Sequence, residues 1–252
     1  MDDSSGPLIE QIWRYPVKSL RGEQLRECGI DERGLIGDRL WAVTDRATGK
    51  LGSGKSSRRF ERFPGPALLE LAARYPVEPR PDKVAPPVLV TRDGTEVSVE
   101  DGGADRFLRG ASGVPTLHVD RETTVSHFDD GPVTLLGTAT LRWVEENLPG
   151  TPVDARRFRP NLVVRTREPF EEERWVGRNV RLGAAPDSAL IAFEAVLVRC
   201  VMTTAAQADL PPAPGMLKLL GTRADQPVRL AVLGRAVRPG RVRLGDRLVI
   251  ES

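Results

Sequence analysis

Apolar residues in this chain alternate with polar ones in short runs far more often than they recur at helical spacing. Residues 9–15, 23–30, 38–44, 87–91, 96–99 and 116–119 are β-branched or alternating and bounded by Gly, Pro or Asp, the pattern of strands. In the second half, 161–165, 189–199, 228–237 and 241–251 read the same way. Helical spacing is confined to two stretches. One is 66–75, with Leu68, Leu69, Leu71 and Ala72 on one face, and the other is 138–148, with Leu141, Val144 and Leu148. The pattern predicts a β-rich α+β fold with few short helices.

The chain has 252 residues, enough for one large barrel or two small domains sharing an interface. Thirty-seven basic residues against 35 acidic ones leave a net charge of +2, and the basic residues do not gather into an aromatic-laced stripe. Nucleic acid is therefore not an expected partner. No apolar run approaches the length of a membrane span, and the polar start Met1-Asp2-Asp3-Ser4-Ser5-Gly6-Pro7 lacks a signal pattern. The expectation is a cytoplasmic protein without membrane contact.

Candidate chemistry centres on Cys200. It follows Arg199 at the end of an apolar strand, and such a cationic neighbour favours the thiolate that binds soft metals. Its only companion, Cys28, is too distant in sequence for a disulfide framework and reads as a plain strand residue; His118 and His127 are too isolated for a multi-histidine site. Upstream, Lys18 and Ser19 close the first strand as a cation and hydroxyl suited to an anion. Lys18, Arg39, Arg159 and Arg199, all at strand ends, supply the fixed donors that a phosphate requires. A competing signal is Gly49-Lys50-Leu51-Gly52-Ser53-Gly54-Lys55-Ser56, which matches the phosphate loop of nucleotide triphosphatases letter for letter. That motif needs a helix opening at its Lys-Ser step inside a βαβ unit, and none is expected here. The Pro-rich segment 210–215 after Cys200 reads as a loop at the mouth of the site.

Several motifs occur in one order: Tyr15-Pro16-Val17-Lys18-Ser19, Gly37-Asp38-Arg39 with Trp41, Phe158-Arg159-Pro160-Asn161, Trp175-Val176-Gly177, Arg199-Cys200 with Thr203-Thr204, and Pro239-Gly240 through Gly245-Asp246. This series resembles the MOSC family with its N-terminal β-barrel domain, whose members include the mitochondrial amidoxime-reducing component and bacterial relatives. The resemblance implies an N-terminal β-barrel-like domain, residues 1–119, packed on a C-terminal MOSC β-barrel, residues 120–252. It also implies a molybdenum cofactor, Mo-molybdopterin, with Cys200 as the protein's metal ligand and catalytic residue. Lys18, Ser19, Arg39 and Arg159 match positions that contact the pterin or its phosphate, with Asn161 and Arg199 in the same motifs. Asp130 and Gly131 match a loop that reaches the cofactor through its backbone, and their turn with Pro132 is expected to open the central helix.

The implied activity is molybdenum-dependent, two-electron reduction of a small N-hydroxylated or N-oxygenated compound, with electrons from a separate reductase because two cysteines cannot hold a cluster. The alternatives are a sulfurtransferase or sulfur carrier working through a Cys200 persulfide, a non-catalytic carrier of the cofactor, and a nucleotide triphosphatase at Lys55. The chain departs from its relatives in three places. Ala205 and Ala206 stand where relatives often have an acid, with Asp209 the nearest; Leu233 stands where an aromatic residue lies near the cofactor; and the segment between the domains is short.

Overall fold

The computed structural model describes residues 6–65 and 67–251. Its largest element is an eight-stranded sheet in the order Val249–Ile250, Asn179–Arg181, Leu190–Val198, Arg229–Arg238, Val133–Gly137, Leu162–Val164, Ile9–Arg14 and Glu23–Leu25. All neighbours run antiparallel except Val133–Gly137 and Leu162–Val164. A parallel pair needs a crossover, and helix α2 (Thr138–Asn147) lies in that connection. The Glu172 carboxylate accepts from Gly137 N (3.0 Å) and Thr140 Oγ1 (2.9 Å), which satisfies donors at the start of α2. Ile12, Leu135, Leu162, Ile191, Phe193 and Val232 share one core on this sheet.

Residues between Val17 and Val119 build a separate core. It is covered by a four-stranded sheet (Leu117–Arg121, Trp41–Asp45, Lys50–Gly52, Phe60–Glu61), a three-stranded sheet (Glu96–Ser98, Val88–Val90, Ala72–Arg74) and helix α1 (Gly103–Ser112). A third core, including Leu136, Val144, Phe158, Leu197, Met216 and Leu220, lies under α2 and helix α3 (Met216–Gly221). The stretches 1–119 and 120–252 interleave: Ile9–Arg14 pairs with Leu162–Val164, and Glu27–Asp31 pairs with Gly240–Arg243.

The strand-rich architecture matches the expectation, and its details differ where one sequence run serves two purposes. Residues 23–30 split at Arg26 because Glu23–Leu25 joins the large sheet while Glu27–Asp31 joins Gly240–Arg243. Residues 241–251 split at the Leu244-Gly245 turn. The stretch 66–75 is not a helix among the described residues, which exclude Pro66. After a single 3-10 turn at Leu68–Glu70 it becomes the strand Ala72–Arg74. Leu69, Leu71, Ala73 and Tyr75 are buried in alternation, so the operative period is two rather than 3.6. The turn Asp130-Gly131-Pro132 opens the strand Val133–Gly137, and α2 begins only after that strand. Helices α1 and α3 were not legible, α1 because flanking Gly102 and Gly113 read as turn signals.

Candidate functional site

Six chain segments converge on a cleft of about 350 Å³. Lys18 N–H donates to Trp41 O (2.7 Å) and Arg39 N–H to Tyr15 O (2.6 Å), so the segments after the first strand and before Trp41 lie side by side. Both deliver their cations into the cleft, where they meet Arg159 and Arg199. Ser19, Arg39 and Arg159 have φ of 65°, 48° and 54°, the left-handed region that residues other than glycine rarely enter. Among the described residues, three of the seven such non-glycine residues thus line one cleft, and backbone held this way concentrates at functional sites.

Six cations (Lys18, Arg39, Lys55, Arg157, Arg159, Arg199) and two carboxylates (Asp129, Asp130) line the site, an excess of positive charge. The Phe60 ring has Lys18 Nζ and Lys55 Nζ each 4.8 Å from its centroid. Asp129 Oδ1 lies 3.0 Å from Lys18 Nζ and 3.9 Å from Lys55 Nζ. Burial lowers the Lys18 pKa to about 8, with Asp129 opposing that shift and Arg39 and Arg159 reinforcing it. Burial opposes ionisation of Asp129, but Lys18 and Lys55 outweigh it and hold the carboxyl below its usual range. Burial, then the charge of Arg39, lowers Arg159 to about 10. Burial likewise moves Arg199 down. Arg39 and Arg159 both stack on Tyr15, at 4.6 and 4.2 Å from its ring centroid, and Arg39 Nη2 donates to Arg159 O (3.0 Å).

Cys200 stands half-buried at the end of strand Leu190–Val198, where it caps the 3-10 turn Val201–Thr204. Its carbonyl accepts from Thr203 N (3.1 Å) and Thr203 Oγ1 (3.0 Å), which fixes the backbone beneath a free thiol. Lys55 Nζ is 4.0 Å from Cys200 Sγ. Gly54 packs against Met202, and a Cβ there would stand 2.6 Å from Met202 Sδ. Arg157 is fully buried and donates to Pro152 O (2.9 Å), Ala205 O (3.3 Å) and Pro211 O (2.7 Å), pinning the loop that follows Cys200.

Among residues singled out in the sequence, Lys18, Ser19, Arg39, Asp130, Gly131, Arg159, Arg199 and Cys200 all line the cleft. Asn161 does not. It is fully buried, its Oδ1 accepting from Thr134 N (3.1 Å) and Thr134 Oγ1 (3.0 Å) and its Nδ2 donating to Trp13 O (3.2 Å), so it ties three strand segments together. Leu233 packs behind Gly131, where an added Cβ would meet it at 2.8 Å. Asp209 pairs with Arg156 (2.9 Å) and does not line the cleft. Cys28 is core, its thiol pushed up to about 12 by burial. Residues 49–56 do not form a phosphate loop, as their context led one to expect: strand Lys50–Gly52 and a bend occupy them and no helix opens at Lys55. That segment instead supplies Lys55 and Ser53 to the cleft. The Gly-rich run before Lys55 was the available signal. Asp129, Phe60 and Arg157 carried none.

Two cleft atoms, Arg159 Nη2 and Arg199 Nε, are buried without a hydrogen-bond partner. Unused donors on two arginines beside a thiol fit a group that brings both anionic oxygens and a thiophilic metal. Among the described residues, no group of three or more His, Cys, Asp or Glu could hold a metal ion by itself.

The fold and cleft define a β-barrel protein with a cation-lined cleft and a single thiol at its edge. The chain belongs to the MOSC domain family: the MOSC domain matches residues 122–249 and the MOSC N-terminal beta barrel domain matches residues 6–71. MOSC domains are associated with binding the molybdenum cofactor. Among solved structures, the YUAD protein from Bacillus subtilis is 12% identical with a TM-score of 0.48, over 98% of this chain and 96% of that one. YiiM from Geobacillus stearothermophilus is 16% identical with a TM-score of 0.34, over 48% of this chain and 54% of that one. A search of curated proteins finds no match. Among the described residues, no helix is long and apolar enough to cross a membrane.

Proposed function

We propose that the chain binds the molybdenum cofactor in this cleft and acts as a reductase of small N-hydroxylated or N-oxygenated compounds. The observation that carries the reading is the pair of unsatisfied buried donors, Arg159 Nη2 and Arg199 Nε, in the same cleft as the free Cys200 thiol. When bound, the cofactor supplies the two-electron exchange with an N–O bond. Lys18, Ser19, Arg39, Arg159 and Arg199 hold its anionic end, Asp130 and Gly131 face it through their backbone, and Cys200 offers sulfur to the metal. The polypeptide fixes these donors beforehand, by left-handed backbone at three of them and by carbonyl acceptors under the arginines.

A second, more apolar cavity of about 390 Å³ adjoins the cleft, with Ser53 lining both. Phe63, Leu68, Leu108, Val201, Ala205 and Pro212 line it, and its one charged residue is Arg62. In this reading the organic body of the substrate seats there, beside the loop that Arg157 pins. A separate reductase delivers the electrons, since two isolated cysteines cannot hold an iron–sulfur cluster.

The test is metal and pterin analysis of the protein purified from a molybdenum-replete host that makes the cofactor, followed by reduction of a benzamidoxime with an artificial electron donor. Stoichiometric molybdenum and pterin with turnover are expected. Cofactor without turnover would leave a carrier, and a labile sulfur on Cys200 without molybdenum would leave a sulfurtransferase. Absence of metal, pterin and labile sulfur would sink all three.

A further inference from the structure

Arg159 borders a second and smaller cavity, of about 150 Å³, that the proposed function does not use. Arg21, Arg156 and Gln207 line it with Tyr15 and Trp13, and none of its lining residues is a carboxylate. Two of its lining residues carry a buried nitrogen without a partner that the cleft does not claim, Arg21 Nε and Gln207 Nε2. Gln207 is only 2% exposed, and its backbone is held by paired bonds to Leu210 (2.9 and 2.7 Å).

Each of these arginines is anchored through at least one other nitrogen. Arg159 Nη1 donates to Leu20 O (2.6 Å), Arg21 Nη2 to Glu70 O (3.2 Å), and Arg156 pairs with Asp154 (2.8 Å) and Asp209 (2.9 Å). The Tyr15 hydroxyl spends its proton on Pro160 O (3.1 Å). Segments far apart in the chain therefore bring anchored side chains to one cavity, and buried N–H groups on Arg21 and Gln207 have no acceptor. Buried donors are rarely left so, and a cluster of them on cationic side chains marks an acceptor-only guest.

We infer that this cavity is a binding site for a phosphate-class oxyanion, held by Arg21, Gln207 and the face of Arg159 turned to it. Arg159 is then shared between the cleft and this site. An anion here also offsets the crowding of Arg159 by Arg39, which with burial depresses its pKa. A free phosphate and the phosphate of a cofactor reaching past Arg159 present the same chemistry.

The experiment is calorimetric titration of inorganic phosphate into the cofactor-free and cofactor-loaded protein, with Arg21→Gln, Gln207→Glu and Lys55→Met compared with wild type. Phosphate also meets the cations of the main cleft, so the contrast between variants carries the result. A binding event weakened by about tenfold or more in Arg21→Gln and Gln207→Glu, but not in Lys55→Met, is expected. If that event persists in the loaded protein, the site takes a separate anion. If it disappears there, the cofactor's own phosphate occupies it. Absence of any event sensitive to Arg21 and Gln207 would overturn the inference and assign the cavity to water. Gln207→Glu is nearly isosteric, so it decides the matter alone if Arg21→Gln does not fold. The titration on cofactor-free protein stands whether or not the chain proves to be a molybdenum enzyme.

Discussion

Lys55 Nζ stands 4.0 Å from Cys200 Sγ although 145 positions separate the two residues in the chain. The contact joins the bend after strand Lys50–Gly52 to the turn that follows strand Leu190–Val198, two segments that only the fold brings together.

Lys55→Met removes this charge while keeping the stem that packs on Phe60. The variant is expected to fold normally and to retain less molybdenum per chain, by roughly tenfold if one charge-assisted contact is lost. Wild type is expected to show no binding of ATP or GTP at this segment. Equilibrium dialysis with labelled nucleotide checks the second point, and tight binding would restore the phosphate-loop reading.

Cys200→Ser keeps size and removes the sulfur. Molybdenum is expected to fall sharply on purification from a cofactor-making host, with circular dichroism and thermal midpoint close to wild type, because the residue is half-buried and its fixed backbone contacts use main-chain atoms. Unchanged metal content would remove Cys200 from the metal's ligands.

Lys18 sets a pH limit. With its pKa lowered to about 8, the free protein loses this positive charge as pH rises through that value, and affinity for an anionic ligand is expected to fall above pH 8. Folding stability moves the other way. Between about pH 8 and the ordinary lysine value of 10.5 the unfolded chain binds the extra proton, so this residue's contribution to stability rises with pH in that window. Phosphate titrations from pH 7 to 9.5 check the first trend. A flat profile would contradict the burial of this ammonium.

His127 acts at the acid end. Burial lowers its pKa to about 4 despite Glu122, with Lys18, Arg33 and Arg59 adding to the shift. From pH 6.5 toward 4 the unfolded chain takes up a proton that the folded chain refuses, so stability is lost as pH falls through that range. His127→Gln is expected to flatten the pH dependence of the thermal midpoint there.

Asn161→Leu separates structure from function at a residue inside the Phe158-Arg159-Pro160-Asn161 motif. Thr134 N and Trp13 O lose partners in a buried setting, which costs about 1–3 kcal/mol per unsatisfied group. A lower urea midpoint is expected, with cofactor content per folded chain retained. Loss of cofactor from a fully folded variant would return Asn161 to the site.

The strands and most of the cationic cleft could be read from the chain alone, because alternation and turn residues are local signals and the cleft cations sit in short motifs at strand ends. Leu68, Leu69, Leu71 and Ala72 were misread because two periods fit a four-residue apolar cluster, and only the partner strand Val88–Val90 selects the extended one. That Asn161 turns away from the cleft could not be read, because a motif records which residues recur together, not which way each side chain turns.

What the sequence determined by itself was the strand-rich class, the family, and the thiol and most of the cations that line the cleft. What only the tertiary structure decided was the company they keep. Lys55 reaches Cys200 through a bend, Asp129 lies between two ammoniums, Arg157 pins a loop 48 positions downstream through Ala205 O, and Arg21, Arg159 and Gln207 line one small cavity. These relationships depend on contacts between segments far apart in the chain. Electrostatics and hydrogen bonding act over a few ångströms of space, and sequence distance does not measure that.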